Sequence, residues 1–285
     1  MKQLLILSGK GGTGKTTVAS AFVKLSEAKA YADCDVDAPN LHLVTKCKSS
    51  PEINDYYGMK KAEIDTIKCI GCGLCIENCS FDAISKNFII NSYECEGCGV
   101  CEYICPSSAI TMKDFKAGDL MLYKDDVVFS TAELNMGSGN SGKLVSEVKK
   151  QLRDNSKADF AVIDGSPGIG CPVIASISGV NMILIVAEPS VSGLSDMKRI
   201  IETARTFKTK TAVCINKYDI NEEITDKIKR YCKNYNIELI GKIPYDIKAV
   251  EAINDGVTIV DIDCAAKRAV QEVYNNTIKI LNDQE

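Results

Sequence analysis

Four short apolar runs along the chain each end in a polar or acidic residue. They read LLILS at residues 4–8, DFAVID at 159–164, NMILIVAE at 181–188 and TAVCIN at 211–216. Helix-like stretches separate them, among them KTTVASAFVKLSEA, SGLSDMKRIIETARTF and EEITDKIKRYCKNY. This alternation predicts an α/β fold with a parallel sheet and helices on both of its faces. Ligands of such sheets bind at the carboxyl ends of the strands, where these polar residues lie.

The composition fits a globular protein. With 285 residues, 45% hydrophobic and 25% charged, the chain can form one large α/β domain, or one domain that carries a small second one. A net charge of -4 gives no reason to expect nucleic-acid binding. No apolar run approaches the ~18 residues that span a bilayer. The N-terminal MKQLLILSGKGG lacks the long apolar region and cleavage site of a secretory signal. We therefore expect a cytoplasmic protein that binds neither membranes nor nucleic acid.

A phosphate-binding loop follows the first apolar run. GKGGTGKT at residues 9–16 matches G-x-x-x-x-G-K-S/T between a predicted strand and a predicted helix. The glycines let backbone N–H groups approach phosphates, and the helix N-terminus favours their negative charge. The motif predicts that the lysine reaches the β- and γ-phosphates and that the hydroxyl helps to hold Mg²⁺. The predicted site for ATP and Mg²⁺ comprises Gly9, Gly11, Gly12, Thr13, Gly14, Lys15, Thr16 and Thr17.

A second lysine early in this loop, Lys10, makes it similar to a known family. GKGGxGKT resembles the deviant Walker A loop of the MinD/Mrp/ParA and nitrogenase iron protein superfamily of P-loop ATPases. In that family the early lysine reaches the phosphates held by the partner in a nucleotide-sandwich dimer. The resemblance implies an ATP-dependent homodimer in which Lys10 and Lys15 both act in catalysis.

Two acidic segments extend the resemblance. DCDVDAPNL at residues 33–41 resembles the D-x-D segment of the family, which implies that Asp35 positions Mg²⁺ or the attacking water and that Asp33 supports it. DGSPGIG at residues 164–170, called the switch segment below, resembles the family's switch II. This implies that Asp164 contacts the Mg²⁺ shell and that the turn responds to the γ-phosphate.

Two later features are compatible with recognition of the nucleobase, and a third is an incomplete match to the phosphate-loop motif. Asn216 fits the family position that recognises adenine, and Pro244 lies in GKIPYD, which resembles the loop that closes over the base. GSGNSGKL at residues 137–144 also matches G-x-x-x-x-G-K but has Leu144 in place of the hydroxyl residue. We interpret it as a glycine turn before a helix rather than as a second nucleotide site.

The segment of residues 61–113, called the cysteine segment below, interrupts the α/β pattern. C-x-x-C-x-x-C-x-x-x-C occurs twice in it, at an offset of 26 residues, and Ala83-Ile84 repeats as Ala109-Ile110. The sequence thus predicts an inserted small α+β domain, with the nucleotide-binding domain divided into residues 1–60 and 114–285.

The cysteine segment has the pattern of a two-cluster bacterial ferredoxin, in which the fourth cysteine of each run ligates the other cluster. Zinc bound by paired C-x-x-C units is the alternative, but structural zinc sites use four ligands and do not explain a third evenly spaced cysteine in each run. Ser80 stands where a proline usually follows the first run. The resemblance implies two 4Fe–4S clusters, one on site I (Cys69, Cys72, Cys75 and Cys105) and one on site II (Cys79, Cys95, Cys98 and Cys101).

Cys171 lies outside this segment, seven residues after Asp164. The nitrogenase iron protein places a bridging cluster ligand at a similar offset, but no convincing partner supplies a second ligand here. Cys171-Pro172 also suits the start of a helix, with proline at its first position. Both interpretations stay open at this point.

Taken together, these motifs indicate an ATP-hydrolysing iron–sulfur protein, and three functions are compatible with them. In the first, a nucleotide-driven dimer switch gates electron transfer to a redox partner. In the second, the protein assembles or delivers clusters to a client, like the Mrp-type carriers. The third, positioning of cellular components as by MinD and ParA, fits less well because the C-terminal YNNTIKILNDQE lacks a cationic face.

Overall fold

Strands form the centre of the molecule. The computed structural model describes residues 1–47 and 49–283. Within them the strands are β1 (Lys2–Leu7), β2 (Ala30–Asp33), β3 (Glu52–Tyr57), β4 (Lys61–Ile64), β5 (Ile110–Lys113), β6 (Lys116–Lys124), β7 (Val128–Leu134), β8 (Phe160–Asp164), β9 (Met182–Ala187), β10 (Lys210–Asn216) and β11 (Glu238–Ile243).

The larger sheet is mostly parallel, which confirms the predicted α/β class. Its order is β11-β10-β9-β1-β8-β2-β7-β6-β3. Neighbours from β11 to β7 are parallel, whereas β6 and β3 are antiparallel to the strands beside them. The prediction of a parallel sheet is therefore wrong for this edge. β3 is the edge strand of the sheet and is mostly exposed, and β6 lies beside it, so polar residues keep the apolar stretches of both strands short.

Helices cover both faces of this sheet, as predicted. Within the described residues they are α1 (Lys15–Leu25), α2 (Leu41–Thr45), α3 (Leu74–Glu77), α4 (Val100–Ile104), α5 (Ser141–Asn155), α6 (Cys171–Ile177), α7 (Val191–Thr206), α8 (Glu222–Asn234), α9 (Ile247–Asn254) and α10 (Ala265–Asn282). One core packs α5 to α8 against the sheet, and a second packs α1, α2 and α10 against the opposite face. The alternating apolar strands are buried between these two layers, and their carboxyl ends meet at one edge.

The cysteine segment has a small sheet and a small core of its own. β4 and β5 pair antiparallel, with Lys61 opposite Lys113, and an isolated bridge joins Ile84 to Ile90. A buried cluster of Ala62, Cys75, Ala83, Ile84, Cys95 and Ile110 fills its interior. The two short helices α3 and α4 follow the first cysteines of the two runs, so the internal repeat of the sequence is also a repeat of structure.

Candidate functional site

A cavity of about 920 Å³ opens at the carboxyl ends of the parallel strands. The loop between β1 and α1 forms its floor. Gly14 begins α1 with φ +87°, and a Cβ there would collide with the Asn216 amide, so the position requires glycine. Gly9 does not line the cavity but lies against Asp196 of α7. Asp164 is buried and does not line it either. The remaining residues predicted for the nucleotide site line it: Lys10, Gly11, Gly12, Thr13, Gly14, Lys15, Thr16, Thr17, Asp35, Asn216 and Pro244.

Lys15 and Thr16 both donate hydrogen bonds to Asp164. The Lys15 ammonium donates to Asp164 Oδ1 at 2.7 Å, and the Thr16 hydroxyl donates to Asp164 Oδ2 at 2.8 Å. Asp164 is fully buried and Lys15 is 6% exposed. Burial lowers the pKa of Lys15, but the surrounding carboxylates, Asp164 first among them, raise it above its ordinary value. The ammonium therefore stays charged and able to attract a phosphate.

The two carboxylates after β2 have different environments. Asp33 accepts hydrogen bonds from the backbone N–H groups of Asp35, Asn40 and Leu41, at 3.0, 2.9 and 2.9 Å, and so shapes the loop. Asp35 lines the cavity, 3.9 Å from the Lys15 ammonium. Burial and the nearby Asp164 raise the pKa of Asp33 to about 7. Burial also raises the pKa of Asp35 to about 6, against the opposing effect of Lys15.

A buried hydroxyl in the loop lacks a partner within the described part of the chain. Thr13 is 2% exposed, lines the cavity, and its Oγ1 makes no hydrogen bond there. Because buried polar atoms are almost always bonded, this hydroxyl suits a site that a polar ligand completes. Together with the free backbone N–H groups of the glycine turn and the Lys15 ammonium, it matches the oxygen-rich chemistry of a nucleotide phosphate.

Asn216 and the residue after it support the loop from β10. The Asn216 amide donates a hydrogen bond from Nδ2 to the Thr13 carbonyl oxygen at 2.7 Å, which leaves Oδ1 as an acceptor. Lys217 donates to the Gly12 carbonyl at 2.9 Å. Sequence reasoning missed Lys217, because nothing in the chain signals that its ammonium turns back to the phosphate loop. The apolar end of the cavity is lined by Leu43, Val44, Ile243, Pro244, Val250 and Ile253, which suits a planar base.

Lys10 forms an ion pair and a hydrogen bond within its own chain. Its ammonium lies 3.1 Å from Glu188 Oε2 and donates to the Ser190 hydroxyl at 3.1 Å. The other oxygen of Glu188 lies 3.6 Å from the Lys217 ammonium, so one carboxylate bridges both lysines. Glu188 was also missed, although it is the acidic residue that ends the apolar run of β9. The structure thus places Lys10 beside the phosphate loop, where it is held by a partly buried ion pair.

The eight cysteines of the repeat lie around two small cavities. One is lined by Cys69, Cys72, Cys75 and Cys105, the residues of site I. The other is lined by Cys79, Cys95, Cys98 and Cys101, the residues of site II. Each cavity thus combines three cysteines of one run with the fourth cysteine of the other run.

The backbone of these sites turns toward the sulfur atoms. Glycines in the left-handed region precede α3 and α4, and the Ala109 N–H donates to Cys105 Sγ at 3.3 Å. Burial raises the pKa of Cys105, but N–H groups including that of Ala109 outweigh it and hold the pKa below its ordinary value. In the described part of the chain, no three His, Cys, Asp or Glu side chains are placed to hold a single metal ion. The donor set of each site is four thiols spread around a cavity.

Cys171 is exposed and begins α6, with Pro172 in the first turn. The predicted helix start is therefore confirmed. Cys171 packs against Gly142, where a Cβ would lie 3.1 Å from the Cβ of Cys171. The glycine-rich stretch before it is a turn, since Asn140 is left-handed and α5 begins at Ser141. The interpretation of residues 137–144 as a turn before a helix is confirmed.

Comparisons with known proteins agree with this nucleotide site. Residues 4–259 match the family described as CbiA, the CobQ/CobB/MinD/ParA nucleotide binding domain. An uncharacterized protein of Methanocaldococcus jannaschii is 33% identical over 279 residues, which cover 95% of each chain. The iron–sulfur cluster carrier protein of Pyrococcus abyssi is 24% identical over 303 residues, 99% of this chain and 87% of that protein. The septum site-determining protein MinD of Pyrococcus horikoshii, solved with Mg-ADP, aligns with a TM-score of 0.57 and 18% identity over 100% of this chain and 98% of that one.

No helix within residues 1–47 and 49–283 is both long and apolar enough to cross a bilayer.

Proposed function

Because the chain belongs to the CobQ/CobB/MinD/ParA family of nucleotide-binding proteins, we propose that it is an ATPase that couples a nucleotide-driven dimer switch to two 4Fe–4S clusters. Its task is electron transfer to a partner protein. Residues 1–60 and 114–285 form the ATPase domain, and residues 61–113 form the inserted cluster domain. The observation that carries this proposal is the pair of four-cysteine cavities attached to a complete phosphate-binding loop.

ATP hydrolysis relies on groups that now neutralise one another. An incoming β- or γ-phosphate competes with Asp164 for the Lys15 ammonium, which lies 2.7 Å from that carboxylate. The Thr16 hydroxyl, which donates to Asp164, would help to hold Mg²⁺, and the ion would offset charge on the phosphates. Asp35 lines the same cavity and orients the attacking water, while Lys15 and Lys10 stabilise the charge that develops on the γ-phosphate.

Release of Asp164 is the start of the switch. The switch segment begins with this residue, and its Gly168 N–H donates to the Ser8 carbonyl beside the phosphate loop. When Asp164 loses its two partners, the segment is free to adopt a second arrangement, in which it would lie close to the γ-phosphate. This is the bistable element that the nucleotide biases.

The switch segment is joined to the cysteine segment by packed elements. It leads into α6, which packs on α5 where Cys171 meets Gly142. At the other end of α6, the buried Lys149 ammonium of α5 donates to the Ser176 and Ser178 carbonyls, each at 2.6 Å. The two helices are thus tied at both ends and move together.

The loop before α5 then contacts the cysteine segment. The ring of Tyr93 lies 3.0 Å from the position that a Cβ on Gly137 would occupy. A carboxylate oxygen of Glu96 lies 3.8 Å from the position that a Cβ on Gly139 would occupy. Both residues flank Cys95 of site II. A shift of α5 therefore changes the packing around site II, which supports coupling between nucleotide and cluster.

The cysteine sites fit iron–sulfur clusters better than zinc. Four thiolates on one zinc ion lie about 3.8 Å apart, given Zn–S bonds of about 2.3 Å. No such convergence occurs among the described residues. A cube-shaped cluster binds each thiolate to a different iron and so accepts a wider spacing. Bound clusters would supply one-electron redox chemistry, held by site I and site II.

The experiment is elemental analysis of protein purified without oxygen. The proposal expects eight irons and eight acid-labile sulfides per chain, little zinc, and ATP hydrolysis that Lys15→Ala abolishes. Cys98→Ser, at an exposed ligand of site II, lowers iron, whereas Cys47→Ser, outside the segment, leaves it unchanged. Zinc without sulfide contradicts the proposal. Cys171→Ala serves as a third arm, since loss of iron there reveals an additional bridging cluster.

Cluster delivery is the second candidate. It is favoured by the iron–sulfur cluster carrier proteins of Pyrococcus abyssi and Methanocaldococcus jannaschii, which are 24% and 22% identical to this chain. A delivery protein loses its clusters to an apo acceptor when ATP is added, and an electron-transfer protein retains them. Iron counting on the re-isolated protein after incubation with an apo acceptor separates the two functions.

A further inference from the structure

One buried charge lies at the junction between the cysteine segment and the proposed ATPase domain of residues 1–60 and 114–285, called the ATPase body below. Lys61, the first residue of β4, is 9% exposed, and its ammonium donates to the Cys95 carbonyl. The ammonium also lies 5.7 Å from the centre of the Phe115 ring. Within the described residues no carboxylate lies within 4.0 Å of it, so its charge is not neutralised by an ion pair. The charge therefore acts on site II, to which Cys95 belongs.

Site I has no buried lysine at the equivalent position of the repeat, and the neighbouring Lys68 and Lys86 are exposed. The internal repeat relates each position of the first half to the residue 26 positions later, and the counterpart of Lys61 is the uncharged Asn87. Phe88, beside it, lines the cavity of site I, so this stretch does lie at the first site. The asymmetry arises because the two sides of the cysteine segment are connected differently. On one side the strand pair of β4 and β5 connects the segment to the ATPase body, whereas on the other side a short turn joins Ile84 to Ile90.

Site II is also the site nearer to the ATPase body. A Cβ on Gly97, between Cys95 and Cys98, would collide with the Lys60 carbonyl, and Tyr93 packs on Gly137. Ile70, which lines the cavity of site I, is 67% exposed and forms an open rim there. The cysteines themselves have the same exposure in both sites, one buried, two half-buried and one exposed, so the two sites differ in their neighbours and not in burial.

We infer that Lys61 makes the two clusters unequal, so that the cluster at site II is the better electron acceptor. A reduced 4Fe–4S centre carries one more negative charge than its oxidised form, and a nearby unpaired ammonium stabilises it in a medium of low dielectric constant. One electron then passes from site I, which is oxidised, to site II, which is reduced. No bond is formed or broken and no proton moves in this step. The direction is from the open rim toward the ATPase body.

The inference rests on the proposed function, and its test separates the two. Lys61→Gln removes the charge but keeps an N–H donor for the Cys95 carbonyl. Lys61→Arg keeps both the charge and an N–H donor, and Lys113→Gln is the matched control. Lys113 lies opposite Lys61 in the strand pair, but its side chain is 62% exposed. The clusters of each nucleotide-free protein are titrated with dithionite under EPR, after iron and sulfide have been counted.

In Lys61→Gln we expect one midpoint to fall while the other stays. At the wild-type midpoint, the reduced-to-oxidised ratio of that cluster drops about tenfold, equivalent to about 59 mV for a one-electron couple. Lys61→Arg and Lys113→Gln leave both midpoints unchanged. Equal shifts in Lys61→Gln and Lys113→Gln, or no shift in either, overturn the inference. Loss of iron in both Lys61 variants also overturns it, because Lys61 is then structural only. A wild-type protein without clusters instead overturns the proposed function.

Discussion

In the proposed ATP-dependent dimer Lys10 has to leave Glu188 to reach the partner protomer, so we predict that Glu188→Gln strengthens this dimer. Lys10 must leave Glu188 and Ser190 before it can reach phosphates on another chain. Glutamine keeps the shape of the side chain but loses the charge that holds the ammonium at 3.1 Å. The variant thus lowers the cost of releasing Lys10 and leaves the phosphate loop intact.

The magnitude follows from the exposure of the pair. The Lys10 and Glu188 side chains are 35% and 21% exposed, so the ion pair is partly screened by solvent. Such pairs contribute about 0.2–1 kcal/mol. Two of them break when a symmetric dimer forms, so removing both strengthens dimerisation by about 0.4–2 kcal/mol, or roughly twofold to thirtyfold in the dimer dissociation constant.

Sedimentation equilibrium with a nonhydrolysable ATP analogue measures this constant directly. The matched control is Glu188→Gln in a Lys10→Ala background, because a double-mutant cycle isolates the contribution that passes through Lys10. Lys10→Ala alone weakens the dimer and slows turnover, and adding Glu188→Gln to it changes nothing further. If Glu188→Gln tightens the dimer equally in both backgrounds, or weakens it in either, Glu188 does not act on Lys10.

Three other results are expected at the nucleotide site. Asp164→Ala leaves the buried Lys15 ammonium without its main partner, so it lowers the free energy of unfolding by about 3–5 kcal/mol in urea titrations. The control is Asp37→Ala, at an exposed position of the same edge, which changes the free energy of unfolding by less than about 0.5 kcal/mol. Turnover falls as the pH drops through about 6, because the pKa of Asp35 is raised to about 6 and only its carboxylate orients water; a profile that is flat from pH 7 to pH 5 contradicts this role. Lys15→Ala abolishes tight ATP binding in calorimetry, and a variant that binds normally excludes Lys15 as the main phosphate contact.

The layered fold and the phosphate loop were readable from the sequence for a physical reason. Strands of a parallel sheet are buried on both faces, so they form continuous apolar runs, and their polar last residues gather at one edge. Asp164 and Asn216 were found in this way. The edge strand β3 and its neighbour β6 were not predicted, because polar residues such as Asp55 and Asp119 keep their apolar stretches short.

Contacts between distant segments could not be read in the same way. The bond from Lys10 to Glu188 joins residues far apart in the chain, and a loop lysine looks alike whether it faces solvent or an ion pair. Lys61 stands in a polar stretch, and only the pairing of β4 with β5 buries it. The grouping of cysteines, by contrast, was implied by the resemblance of the repeated spacing to that of a two-cluster ferredoxin.

The account depends most on the coupling between nucleotide and clusters, and one titration addresses it. The clusters of the anaerobic wild-type protein are titrated under EPR with ADP and with a nonhydrolysable ATP analogue. The account predicts two 4Fe–4S signals and a midpoint that differs between the two nucleotides, by about 59 mV for a tenfold coupling. Absence of cluster signals, or midpoints that are identical with both nucleotides, would contradict it.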